Sequence, residues 1–444
     1  MIKLPQFIQE FMDKFTQKGF QIYVVGGAVR DLLLEKTTEN WDFTTSATPE
    51  QILKLFPDAY YNNTYGTVTV SMSKSVLIEI TTFRKESDYK DSRHPAKVEW
   101  AKTLEEDLGR RDFTVNAIAF DGKKIIDLFE GQKHLQEKLI VAVGDPDNRF
   151  KEDALRLIRA IRFASELGFL IEEKTRASIE KNSELITKIS WERIRDELMK
   201  IIASDHPAEG ILFLKNSGLL KYILPELDIC FMIPQKSPKR HHIYDVGTHM
   251  VMALKNCPSI DPITRLATLL HDVGKAKTFR KDEKSQLITF YNHEVVGTKL
   301  VKQIADRLKL SKKEGGKLIK LVQYHQFTVS ENITDKAVHR FIRELGKEYL
   351  KDMLDLRTGD RIGSGATPTS WRLDLFKKRL IEVQKQPFKI SDLKINGNDV
   401  MEILKIKQGP KVGQILQKIF NDVEEGRLKN ERNVLLEKIN VLVN

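Results

Sequence analysis

Phe7, Ile8, Phe11 and Phe15 recur at helical spacing and Gly19 ends the pattern, so 5–18 is expected to be a helix that serves packing. The apolar run Ile22–Val25 then breaks at Gly26-Gly27 and restarts as a helical pattern through Arg30, Asp31 and Leu34. This predicts a strand, a turn without side chains, and a helix, a backbone that phosphates can approach. Trp41-Asp42-Phe43 reads as a short strand on which positions 40 and 42 share a face. Pro49 marks the first turn of a helix that closes by Phe56. The runs 68–72 and 76–81 read as a hairpin, with Glu79 isolated among apolar neighbours, and 81–95 reads as polar and flexible.

Farther on, Arg110-Arg111-Asp112 follows an acidic lead-in and precedes a helix-like segment that ends in an apolar strand. Positions 127–148 read as a turn-rich connector, and Arg149 opens one long helix that Gly168 stops, with Glu152, Arg156 and Arg159 on one face and Asp153 beside them. A further helix begins at Trp191, and the pattern loosens between Lys221 and Arg240, where a boundary is expected near 235. The tail from about 366 is helical and basic, and Gly409-Pro410 opens one of its helices.

Composition narrows the class. A chain of 444 residues with 41% hydrophobic content can bury several cores, and a net charge of +11 spread along the chain favours an anionic partner such as nucleic acid. Two cysteines, Cys230 and Cys257, imply neither a disulfide framework nor a zinc site. No apolar run reaches membrane length and no signal peptide precedes the first helix, so a cytoplasmic protein is expected.

The stretch GGAVRD with the following WDFTT, and RRDFTVNA and EDALRLIR after it, resembles the class II tRNA nucleotidyltransferase and poly(A) polymerase family, within the DNA polymerase β-like superfamily. The resemblance implies an α+β head of polymerase β-like type, a small mixed sheet with helices, followed by mostly α-helical domains. It places the metal carboxylates at residues 40 and 42 and at Glu79, with Mg²⁺ as cofactor. This chain departs from the family's Asp-x-Asp at the first of them, where Asn40 stands. The bare turn at Gly26-Gly27 with the helix amides after it, and the charge of Arg30, suit phosphates by their own chemistry, and the resemblance further implies that Arg111, Asp112 and Asn116 hold the ribose and triphosphate. Glu152, Asp153, Arg156 and Arg159 would complete the nucleotide site. A carboxylate beside a guanidinium complements a base edge with an amino donor next to a ring-nitrogen acceptor, so Asp153 with Arg156 can accept cytosine and adenine and reject uracil and guanine.

A second constellation follows: His249, then His271-Asp272 in LLHDVGK, then His293, His325 and Asp360. Its order resembles the HD phosphohydrolase superfamily, which implies a divalent metal such as Mn²⁺, Ni²⁺ or Mg²⁺ acting on a phosphate ester, with Lys275 on the phosphate. Asp355 competes with Asp360 for the last ligand position, and Asp360 is preferred.

The resulting organisation is a nucleotidyltransferase head over 1–145, a helical neck that selects nucleotide and binds RNA over 146–234, an HD domain over 235–365 and a tRNA-binding helical tail over 366–444. The expected activity is addition of C and A to the tRNA 3′ end from CTP and ATP, by a monomer or homodimer with no membrane attachment. Two alternatives compete: an HD phosphohydrolase whose head, weakened by Asn40, only binds tRNA, and a partial CC- or A-adding or poly(A)-synthesising enzyme.

Overall fold

The computed structural model describes residues 3–62, 66–72, 77–89, 95–235, 244–327, 329–384, 390–424 and 427–441, with the backbone alone given for 85–89 and 95–99. Val76 of the expected hairpin, 90–94 of the polar stretch and 236–240 of the loosened stretch lie outside the described residues. The chain divides into two compact units, Met1–Ile229 with Arg307–Lys309, and Cys230–Asp306 with Leu310–Asn444.

Nine strands build the sheets of the first half of unit one: β1 Ile22–Val25, β2 Trp41–Thr45, β3 Tyr60–Asn62, β4 Thr67–Ser71, β5 Leu77–Thr82, β6 Arg84–Tyr89, β7 Pro95–Trp100, β8 Ile118–Phe120 and β9 Ile125–Asp127. Seven of them form one sheet in the order β3-β4-β5-β2-β1-β8-β9. Within that sheet β2 and β5 run parallel, and the other pairings are antiparallel. Phe43, Ile78 and Ile80 are buried on one face, where helix Gln6–Thr16 supplies Phe11, packed on Phe43 at 5.1 Å and on Phe56 at 5.0 Å. Thr48 and Gln51 close a capping box at the start of helix Pro49–Leu55, which fixes how that helix leaves the sheet. One face being committed to this core, the alternation of each strand leaves Asp42 and Glu79 on the other.

Three expectations fail locally. The polar stretch 81–95 contains strand β6, which pairs antiparallel with β7, beginning at Pro95, in a sheet of their own. The 127–148 connector holds helix Gly131–Gln136 and a short strand, Leu139–Ile140, parallel to Leu170–Ile171. The long neck helix is two helices, Pro146–Glu152 and Leu155–Leu167, interrupted because Asp153 takes an extended backbone and its carboxylate accepts the N–H of Leu155 at 3.0 Å. Helix Leu155–Leu167 packs against Trp191–Ala203 and Pro207–Asn216.

Unit two is helical apart from a short antiparallel pair, Arg280–Lys281 with Ile288–Thr289. Helix Val246–Lys255 packs along Leu350–Gly363, and Pro262–Leu270 packs against both of these and against Lys312–Tyr324. Helices Gly397–Leu404, Pro410–Glu424 and Arg432–Val441 surround a further core that includes Val400, Ile419, Phe420, Leu435 and Ile439. Both cysteines are buried and free, and no helix among the described residues is long and apolar enough to cross a membrane.

Candidate functional site

Asp42 of β2 and Glu79 of β5 are register partners on adjacent parallel strands, and both reach solvent. Neighbouring carboxylates that share an open face are a cation-binding donor set. Asp42 opens to solvent on one side only, and the protein packed around the rest of it raises its carboxyl above the ordinary value, against the Arg111 guanidinium, which lowers it. A bound cation would offset the cost of charge at that position. Gly26, at φ +69°, closes the same corner: a Cβ there would meet Arg111 Nη1 at 3.2 Å and Asp42 Oδ2 at 3.8 Å. A side chain at residue 26 would therefore crowd the space between the carboxylate and the guanidinium. Asn40 is exposed immediately before β2, and its main-chain oxygen accepts the Thr38 hydroxyl at 3.1 Å.

On the same face of β2, beside Thr44, stands Asp107, fully buried, with Thr44 Oγ1 at 3.1 Å, Arg110 Nη2 at 2.8 Å and Arg111 Nη2 at 3.4 Å. Burial works against its charge, but the two arginines hold its carboxyl below the ordinary value. Asp107 thereby aims Arg111 from behind. Arg30 Nη1 donates to Asn116 Oδ1 at 2.8 Å, so Asn116 orients a cation in turn. Asp112 is occupied on both oxygens, by Phe113 N at 2.9 Å and by Arg159 Nη2 at 2.6 Å. Burial would raise its carboxyl, yet Arg159 and Arg156 bring it down to about 2.

The neck residues are likewise engaged. Arg156 donates to Glu152 at 2.6 Å and to the carbonyls of Arg149 and Arg110, while Asp153 pairs with Arg193 Nη2 at 2.8 Å. Phe163 lies under the guanidiniums of Arg30, Arg159 and Arg162.

In unit two, five buried side chains converge with the less buried Asp360. Asp272 lies at the centre. Its Oδ2 is 3.4 Å from His249 Nε2 and 3.2 Å from His271 Nε2; its Oδ1 is 3.1 Å from His293 Nε2 and 3.6 Å from His325 Nε2. Asp360 Oδ1 adds contacts of 3.3 Å to His249 and 3.6 Å to His271. Nδ1 of His271, His293 and His325 faces the carbonyl of Thr268, Phe290 or Val322, at 2.8, 2.9 and 2.6 Å. A carbonyl only accepts, so each Nδ1 carries a proton and each Nε2 points inward at the carboxylates, where its lone pair serves a metal once that nitrogen gives up its own proton. Burial opposes charge on His271, but Asp272 and Asp360 raise it to about 10; burial pushes His325 down. Gly274 matters here because a Cβ on it would collide with the main chain of His293. These side chains line a cavity of about 490 Å³.

Three family models match: the poly A polymerase head domain over residues 22–141, a "Probable RNA and SrmB- binding site of polymerase A" over 168–230, and tRNA nucleotidyltransferase domain 2 over 278–439. The chain is 34% identical over 437 residues to the CCA-adding enzyme of Ligilactobacillus salivarius, covering 97% of this chain and 95% of that one. The chain belongs to the CCA-adding enzyme family. Its relative in Lactobacillus helveticus is 50% identical over 222 residues, 49% of this chain and 55% of the other. Among solved structures, the Bacillus stearothermophilus CCA-adding enzyme in complex with CTP superposes with a TM-score of 0.74 at 27% identity, covering 98% and 97% of the two chains.

In this member of the CCA-adding family, Asp42, Glu79, Gly26 and Arg111 come together as the sequence suggests, as do His249, His271, Asp272, His293, His325 and Asp360. Asp355 stays apart from the histidine cluster and pairs with Lys351 at 2.7 Å. Lys275 is largely buried, with Nζ 2.6 Å from Asp272 Oδ2 and 2.7 Å from Gln235 Oε1, and it also lines the histidine cavity, so it orients a ligand carboxylate at the cavity wall. Sequence reasoning misses Asp107, Phe163 and Arg193, because each looks like one more member of an amphipathic or charged helix.

Proposed function

We propose that this chain is a tRNA nucleotidyltransferase that adds C and A to the 3′ end of tRNA from CTP and ATP without a nucleic-acid template, in the cytoplasm. The observation that carries the reading is the register pairing of Asp42 and Glu79 beside the Gly26-Gly27 turn and Arg111. In the reaction the tRNA 3′-hydroxyl attacks the α-phosphate of the nucleotide, and pyrophosphate leaves.

Asp42 and Glu79, with the Asn40 amide oxygen, are the residues that would hold Mg²⁺. When bound, the cation lowers the hydroxyl's pKa and neutralises charge on the phosphates. Arg111, backed by Asp107, meets the phosphate oxygens, and the bare backbone at Gly26-Gly27 leaves them room. Arg30 and Asn116 set the far edge of the site. Asp112 acts through Arg159, locking the neck helix to the head motif. Asp153 and Arg156 read the base by exchanging Arg193 and Glu152 for an edge that offers a donor beside an acceptor. The direct test is incubation of purified protein with tRNA lacking its 3′ end and each labelled nucleotide in turn. C and A are incorporated; incorporation of U or G at comparable rates overturns the assignment of the selecting pair.

A second activity is proposed for unit two, carried by the inward-facing Nε2 atoms around Asp272. His249, His271 and Asp360 would hold a divalent metal on one side of Asp272, and His293 and His325 a second on the other. A metal there would supply an activated water for hydrolysis of a phosphate ester. Lys275 holds Asp272 in place from the cavity wall, and Arg357, which lines the same cavity and pairs with Asp360 at 3.1 Å, is a further cation for a phosphate.

A further inference from the structure

The histidine cavity does not end at Arg357. A second cavity of about 340 Å³ shares that residue and is lined by Arg361, Arg372, Trp371 and Ser370. Trp371 is 59% exposed, and Arg372 lies over its ring at 5.0 Å. Arg361 is fixed from behind, donating to the carbonyls of Thr367 and Thr369 at 3.0 and 3.1 Å. Arg372 makes an exposed pair with Glu331 at 3.2 Å, and Arg357 lies over Phe327 at 5.6 Å. An exposed indole among guanidiniums offers a flat surface for a nucleobase and charge for the phosphates on either side of it.

We propose that this second cavity is a subsite for single-stranded RNA, continuous with the histidine cavity through Arg357, so that the ester cleaved in unit two is a terminal phosphate of an oligonucleotide. The proposal rests on the phosphohydrolase reading above. Arg357 takes the terminal phosphate, a base farther along the strand stacks on Trp371, and Arg361 and Arg372 take the phosphates flanking that base. In the hydrolysis, water attacks phosphorus and the ester P–O bond breaks. The strand leaves as an alcohol carrying one proton, and inorganic phosphate is released.

The proposal chooses an oligonucleotide over a free mononucleotide because the indole belongs to the second cavity and not to the one lined by the histidines. Full-length protein and its Trp371→Ala and Arg372→Gln variants are assayed on a single-stranded RNA pentamer with a 3′-phosphate, on a nucleoside 3′-phosphate and on p-nitrophenyl phosphate. Loss of one stacked base lowers kcat/KM for the pentamer by roughly 10-fold or more, while both small esters are cleaved as before. Equal losses on all three substrates, or no loss on the pentamer, overturn the subsite. Binding is read separately with EDTA present, as quenching of tryptophan emission by the pentamer in the parent protein and in Trp371→Phe. A Trp371-dependent quench is expected, and its absence overturns the subsite. If no ester is cleaved by any form but the quench is present, the metal-site reading fails and the RNA subsite stands.

Discussion

Asp42 and Glu79 face each other across a parallel pair of strands, Asp42 one residue after the start of β2 at Trp41 and Glu79 two residues after the start of β5 at Leu77. Their position depends on the apolar residues alternating with them, since Phe43, Ile78 and Ile80 hold the opposite face in the core. A one-residue slip of either strand would bury a carboxylate and expose its neighbours.

Asn40 precedes Asp42 by two residues and brings no negative charge. Asn40→Asp supplies a third anionic donor and should raise the single-turnover rate of nucleotide addition by about 100-fold, with CTP affinity nearly unchanged, as for an interaction made mainly in the transition state. Equal rates for the two proteins would remove residue 40 from the metal site.

The Asp112–Arg159 pair gives a pH signature. Because the Asp112 carboxyl is held at about 2, below its ordinary 3.8, the pair's contribution is complete above that ordinary value and is lost as pH falls through the folded value. Asp112→Asn should cost about 2 kcal/mol near neutral pH and flatten the stability profile between about pH 4 and 2. Urea denaturation across that range, following unit-one tryptophan emission, checks both; an unchanged profile would mean that the pair contributes nothing.

Much of this is legible in the sequence because the chemistry sits where the local pattern is strongest. The Ile22–Val25 run and its Gly26-Gly27 break announce β1 and the turn, and the order of the histidines anticipates a cluster that only tertiary packing assembles. The strands β6 and β7 are hidden because Arg84–Tyr89 has no apolar face to alternate. The break at Asp153 is hidden because apolar residues continue in phase on both sides, and the carboxylate that caps the second helix looks like one more charged position. Lys275 is only half legible, because a lysine after HDVG suits a phosphate, whereas its pairing with Asp272 and Gln235 depends on tertiary packing.

In unit two the two ligand groups share Asp272, so they should not fail alike. Metal analysis of purified protein should find two divalent ions per chain; Asp272→Ala should lose both and His293→Ala one. Loss of the same amount from both variants would contradict the bridging position of Asp272, and His271→Ala should leave nucleotide addition in the head unaffected.

The central claim is that Asp42 with Glu79 marks the centre of nucleotide addition, and Asp42→Asn tests it most directly. Asn keeps the size of the side chain and removes its charge. Single-turnover addition of CMP to tRNA lacking its 3′ end is measured at saturating CTP beside the parent protein, with CTP binding measured separately. The expected result is a loss of roughly 1,000-fold or more in rate with the fold intact. A variant that adds CMP within about threefold of the parent rate, well below the roughly 10²–10³ loss of a single electrostatic group, would contradict the claim and move the catalytic centre away from this strand pair.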